Sequence, residues 1–195
     1  MIKNQSVSMA ALIVCLGMFS TTPVSAQPKV KVLSVAEDAS QKTVLIGRNL
    51  AGGMIVIFEL EAAKGMWMHR AVKWSEHPVG KDELYHVEVK PVDPKSNTRI
   101  SYAEVKFSAV NRDNKKKVSG TLHPMWGGSG LHYAVNSPLA GDGTYEVTIN
   151  VGVPTFGRSS ADRGLWMQPV TTNFHFKLTG GKVVEVSEPV TETRK

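Results

Sequence analysis

The sequence predicts an all-β chain folded as an antiparallel β-sandwich. Short apolar runs separated by turn residues recur from Lys29 onward, which is the spacing of many short strands. Several runs alternate with a period of two. In Tyr102–Val110, for example, Tyr102, Glu104, Lys106 and Ser108 fall opposite Ala103, Val105, Phe107 and Ala109. Helical periodicity is nearly absent; only Glu61–Arg70 has any helical flavour, and it is short.

The first residues read as an address. Lys3 supplies a positive start, Met9–Phe19 an apolar stretch and Val24-Ser25-Ala26 a small-residue cleavage site, the pattern of an export signal. The apolar stretch is shorter than the roughly 20 residues that span a bilayer. The expectation is an exported protein, cleaved after Ala26, with no transmembrane anchor in the mature chain. Cys15, the single cysteine, lies inside the signal, so the mature chain forms no disulfide. Residue 14 is Val, where a lipoprotein signal has a small residue. Residues 27–186 suit one domain with a proper core, and residues 187–195 form a polar tail expected to fray.

Along that domain, Lys29–Val35 alternates, Thr43–Ile46 is a short apolar piece and Asn49–Gly53 reads as a turn. Met54–Leu60 is nearly continuous and β-branched, as in a buried strand. Leu84–Val89 alternates and is expected to stop at Pro91-Val92-Asp93-Pro94. Lys117–Leu122, Thr144–Val151, Val170–Leu178 and Val183–Val186 complete the strands, with turns at Ala140–Gly143 and Gly180-Gly181.

The chain carries 23 basic and 17 acidic residues, a formal net charge of +6. The basic residues are dispersed except for Lys115-Lys116-Lys117. That run follows turn chemistry at Asn111–Asn114 and reads as a solvated hairpin tip. Without a basic stripe or interleaved aromatics, nucleic-acid binding is excluded; attraction to an anionic membrane surface is generic. No nucleophile elbow, phosphate loop or paired-carboxylate motif is present, and no serine sits in a triad-like arrangement. The chain is therefore read as a binding protein and not as an enzyme, with weak metal oxidation as a derivative property.

Chemistry concentrates in Leu122-His123-Pro124-Met125-Trp126-Gly127-Gly128-Ser129-Gly130-Leu131-His132-Tyr133. His123 and Met125 project to one side of an extended chain. Gly127, Gly128 and Gly130 let the chain double back and bring His132 towards Met125. A thioether with imidazoles suits copper, Cu(I) above all; the alternative is a hairpin whose Met, Trp and His only pack. His86 and Glu88 share a face of another strand, where they converge on an ion or form an ordinary polar surface. Met66, Met68 and His69 form a second soft cluster, whose alternative is the rim of a core.

These pieces resemble the periplasmic iron-transport-associated family. His123-Pro124-Met125, Gly130-Leu131-His132-Tyr133, Asn136 and Gly143–Thr148 are similar to its Met-Pro-Met, Gly-Pro-His-Tyr and Gly-Lys-Tyr-x-Val segments. The similarity continues through Phe156-Gly157-Arg158, Gly164, Trp166 and Pro169 to Thr172–Phe176. Upstream, Tyr85–Glu88 resembles a His-Leu-Glu strand and Ile100–Val110 an Ile-Pro-Tyr strand, so it covers about residues 82–178. The resemblance implies an immunoglobulin-like sandwich, usually a homodimer, binding copper and handling iron for an inner-membrane iron permease. It implies copper ligands at His86, Met125 and His132, with Glu88 close by. Two departures stand out. Ser159 occupies the position of a further family histidine, and His123 replaces the first Met of Met-Pro-Met, which makes His123 a possible substitute ligand. The competing expectation is a metal-free exported interaction module with the same fold, in which His86 and His132 lie far apart or pack independently.

Overall fold

Strand-forming runs and tight turns account for nearly the whole architecture. A computed structural model describes residues 28–70, 72–139 and 141–190. Among these are twelve strands and no α-helix: β1 (Val30–Glu37), β2 (Val44–Ala51), β3 (Met54–Ala62), β4 (Met66–Arg70), β5 (Lys73–His77), β6 (Tyr85–Val92), β7 (Val105–Asn111), β8 (Lys117–Gly127), β9 (Gly130–Ser137), β10 (Gly143–Val151), β11 (Val170–Thr179) and β12 (Lys182–Ser187). The export signal and Cys15 lie outside the described residues.

Ten strands form one hydrogen-bonded ribbon in the order β1-β12-β11-β10-β7-β8-β9-β6-β3-β2, and β4-β5 is a separate hairpin. The ribbon turns back on itself at β8. Residues 117–122 of that strand pair with β7, whereas residues 123–127 pair with β9. The changeover falls at Leu122-His123-Pro124, where Pro124 has no N–H to give to a ladder. β8 thus belongs to two layers, and β2 comes back against β11 and β12 to close them. Phe58, Leu60, Tyr133, Tyr145, Phe174 and Phe176 fill the space between. Phe58 lies 5.4 Å from Phe174, and Tyr145 stacks on Phe176 at 4.6 Å. The antiparallel sandwich is the architecture the sequence predicts.

Several local expectations need correction. Glu61–Arg70 is extended, not helical: its first residues finish β3 against β6, and Met66–Arg70 pairs with Lys73–His77. Cross-strand pairing outweighs the weak helix propensity of so short a segment. Asn49–Ala51 belongs to β2, and only Gly52-Gly53 turns, with φ of 57° and 74°. β6 runs through Pro91, whose carbonyl accepts from Ile100 N at 2.8 Å. β7 begins at Val105, because Tyr102 sits at φ 55° in the left-handed region. The tail is tied where the expectation was fraying: Glu188 N donates to Lys29 O at 2.8 Å and Val190 N to Arg48 O at 3.1 Å. Its last five residues lie outside the described part. The Lys115–Lys117 tip and the Gly180-Gly181 turn are found where expected.

Candidate metal centre

β6 is buried on both faces. Tyr85, Val87 and Val89 enter the core, while His86, Glu88 and Lys90 alternate with them on the outer face. That face is a polar one, yet His86 is 0% and Glu88 3% exposed, which removes the reading of an ordinary solvated surface. Register explains the convergence. His86 lies opposite Asn136 of β9 and Glu61 of β3, and Glu88 opposite Ala134 and Glu59. Across β8 and β9, Met125 lies opposite His132 and His123 opposite Ala134. Residues directly opposite in an antiparallel pair share a face, so both sequence clusters stand on one surface.

There the three strongest ligand candidates meet. His132 Nε2 lies 3.4 Å and His86 Nε2 3.9 Å from Glu88 Oε1. Their ligand atoms all fall within 4.8 Å of one another, the one such convergence of His, Cys, Asp or Glu among the described residues. The two rings are 6.2 Å apart and nearly perpendicular, so His86 and His132 are not far apart, and both face the same Glu88 oxygen where a metal-free module would have them apart or independently packed. Met125 is half-buried across from His132. His123 lies on the same face but is exposed, and it is not part of the converging group. The soft cluster on the β4–β5 hairpin divides: Met66 and Met68 are buried, while His69 points out against Trp74 at 5.1 Å.

The hydrogen bonds fix the state of both imidazoles. Asn136 Nδ2 donates to Lys64 O at 3.0 Å and Glu83 Oε2 at 3.1 Å, so its Oδ1 is the acceptor facing His86 Nδ1 at 2.8 Å. His86 Nδ1 therefore carries the proton, and Nε2 presents a lone pair in the neutral ring. In His132, Nδ1 lies 2.9 Å from the Gly130 carbonyl, which only accepts, so in the neutral ring its Nε2 is the nitrogen that presents a lone pair. Both Nε2 atoms are buried without a hydrogen-bond partner among the described residues. Orienting one imidazole nitrogen through the other is how proteins prepare metal ligands. Burial drives the His86 pKa below its usual value, partly offset by the Asn136 hydrogen bond. Burial pushes the Glu88 carboxyl up, but the hydrogen bond and charge of Lys90, with the other groups around it, outweigh this and leave it below its ordinary value.

The glycine-rich turn does more than reverse the chain. A Cβ at Gly127 would come within 3.0 Å of His132 Cε1, so a bare backbone lets the ring lie against β8. Gly130, at φ 80°, opens β9 after the two-residue loop Gly128-Ser129. A cavity of about 420 Å³ reaches the site, lined among others by Glu59, Glu61, Lys64, Glu88, Lys90 and His132.

The sequence reading misses the cations and second carboxylates. Lys90 Nζ lies 3.0 Å from Glu88 Oε2 and also contacts Glu59; Lys64 Nζ lies 3.5 Å from Glu88 Oε1 and also contacts Glu61. Period two along β6 would have placed Lys90 beside Glu88, but nothing local points to Lys64. Ser159, at the position where the resemblance expects a histidine, is exposed in the β10–β11 loop. It is bonded to Asp162 at 2.6 Å and lines a different cavity. Asp162 and Arg163 close the same loop, bonding to Ser159 and to the Ser160 carbonyl respectively.

Residues 85–180 match the protein family described as Fe2+ transport protein. No curated protein sequence matches the chain. Among solved structures, as-isolated FetP of uropathogenic E. coli strain F11 is 22% identical, with a TM-score of 0.56 over 71% of this chain and 97% of its own. A copper-bound variant of FetP is also 22% identical, with a TM-score of 0.58 over 71% of this chain and 94% of its own. Copper-reconstituted P19 of Campylobacter jejuni is 24% identical, with a TM-score of 0.55 over 71% of this chain and 97% of its own. At these identities the likeness is one of fold.

Proposed function

Because the chain belongs, through residues 85–180, to the Fe2+ transport protein family, we propose that it is a periplasmic metal-binding protein of iron uptake. Its His86–Glu88–His132 centre would hold copper. One observation carries this reading: two buried, unpartnered Nε2 atoms face a single carboxylate oxygen. Two lone pairs and an anion repel one another across so short a gap, and a cation among them turns each repulsion into a bond. The residues present therefore fit a metal.

Two imidazoles with a thioether across the strand suit copper, whereas carboxylate oxygen suits a harder ion. The reported copper-bound structures of FetP and P19 support copper here, and the family description supports iron as the transported ion. In this reading iron is cargo, met by the carboxylate side of the cavity and passed to an inner-membrane permease, and the protein works as a homodimer. Its role is binding and delivery, not turnover. A metal-free interaction module is the second reading, favoured by Trp67, Trp74 and Trp126 at 63%, 60% and 81% exposure. The convergence of His86 and His132 weighs against it.

Titration of the metal-free protein with Cu(II), Cu(I), Zn(II) and Fe(II) tests the proposal. Near-stoichiometric copper binding is expected. His132→Ala should abolish it while shifting metal-free stability by no more than about 1 kcal/mol, since the ring makes one hydrogen bond. No binding by the wild type, or an unchanged affinity in the variant, would overturn it.

A further inference from the structure

The two oxygens of Glu88 are held differently. Oε2 faces Lys90 Nζ at 3.0 Å. That ammonium is nearly fully buried and bridges to Glu59 as well, so it is fixed from two sides. Oε1 faces His132 Nε2 and His86 Nε2, and a third neighbour, Lys64 Nζ, at 3.5 Å. The ammonium of Lys64 therefore stands on the same oxygen that the two imidazoles surround.

Lys64 is built to let go of that oxygen. Its side chain is 42% exposed, against 5% for Lys90, and it lines the cavity leading to the centre. Its second carboxylate, Glu61, is more exposed than Glu88. Its backbone, by contrast, is pinned: Lys64 O accepts from Asn136 Nδ2 at 3.0 Å, and Lys64 N reaches Asn136 Oδ1 at 3.5 Å. The amide that orients His86 thus also fixes the root of a flexible charged arm.

We infer that Lys64 is a tethered cation holding the oxygen side of the metal position, displaced towards Glu61 when a metal ion enters. The inference rests on the metal-binding reading of this site and deepens it. Entry becomes an exchange of ammonium for metal. With Lys64 in place Glu88 already has two cations beside it, so an ion must outcompete an intramolecular partner whose effective concentration is high. Ions that bond well to imidazole recover that cost from the two Nε2 lone pairs, whereas ions that need mainly oxygen do not. Lys64 in this way sets a threshold: the same exchange cost falls on every cation, which leaves copper and zinc above useful binding and holds magnesium and calcium below it.

Zn(II), which has no redox chemistry to complicate the readout, is the probe. Its affinity is measured by competition with a chromophoric chelator for the wild type, Lys64→Met and Lys64→Arg. Lys64→Met keeps the apolar stem and removes the charge. It should bind zinc about fivefold tighter, the upper end of the scale for an exposed charge pair, and gain measurable calcium binding. Lys64→Arg should stay within threefold of the wild type or bind more weakly. An unchanged or weakened zinc affinity in Lys64→Met, with wild-type binding intact, overturns this inference alone. Absence of zinc binding by the wild type and both variants overturns the metal reading and the inference with it. Binding by Lys64→Met alone supports the inference in its strongest form.

Discussion

Replacing Asn136 by Leu should damage stability and metal affinity together, and by amounts the structure sets. Asn136 is 5% exposed and ties three elements: His86 on β6, the Lys64 backbone after β3, and Glu83 in the loop before β6. Leu fills similar space but can neither accept nor donate. His86 Nδ1–H is then buried without an acceptor, a loss of about 1–3 kcal/mol. The Lys64 carbonyl and the Glu83 carboxylate lie nearer solvent and regain part of their bonding from water, adding about 0.5–1 kcal/mol between them. The metal-free protein should therefore lose about 1.5–4 kcal/mol in urea unfolding. Freed from its orienting bond, His86 no longer presents Nε2 to Glu88 in one tautomer. Losses of this kind weaken metal binding about 10–100-fold, which zinc competition reads directly. Asn136→Asp restores an acceptor for Nδ1 and should recover much of the zinc affinity. It should not recover stability, because it sets a second carboxylate 3.1 Å from Glu83. A folded Asn136→Leu protein with wild-type zinc affinity would refute the claim that this amide prepares the site.

Acid should act on the metal-free protein through His86. Burial holds its pKa below the usual 6.5, so the unfolded chain takes up this proton first, and metal-free stability declines as pH falls below 6.5. Above that pH His86 contributes no slope. Glu88 is held below its ordinary 4.5, so its contribution is full above 4.5 and is lost as pH falls through the folded value. Urea midpoints from pH 8 to 5 should bend downward near 6.5 in the wild type and less so in His86→Gln; identical curves for the two would contradict the assignment. Gly127→Ala places a methyl 3.0 Å from His132 Cε1. It should cost about 1 kcal/mol and weaken zinc binding roughly tenfold by tilting the ring off Glu88, with far-ultraviolet circular dichroism unchanged. An unaltered zinc affinity would show that His132 has room to spare.

Much of this centre is legible because its parts are local. A strand-turn-strand with three glycines in four positions can hardly avoid setting Met125 opposite His132, and an alternating strand sets His86 beside Glu88. What no local pattern gives is that β6 and β9 are neighbours, which joins the two halves. Adjacency of strands distant in sequence is decided by burial of Val87, Val89 and Tyr133 together in one core. The resemblance to a family supplied that step where periodicity could not. Lys64 was invisible for the same reason, as it reaches Glu88 from a loop. Tyr102 and Glu61–Arg70 failed differently: alternation and composition there match one local preference, while φ at Tyr102 and pairing across the β4–β5 hairpin follow tertiary demands.

The pairing of β1 with β12 bears on how this chain comes into being. Val30 lies across from Ser187, and β1, at the edge of the ribbon, has no other partner strand among the described residues. A ribosome makes the first of these strands long before the last. Until then β1 waits without a ladder, with Val32 and Val35 on a free edge of the kind that recruits foreign strands. Closing so large a loop is entropically slow, so the outer strand is the last to dock, after the centre on β6, β8 and β9 can already form. The first and last strands thus act as a latch. Loss of β12 would release β1 as well, stripping two strands from the sandwich by the deletion of one.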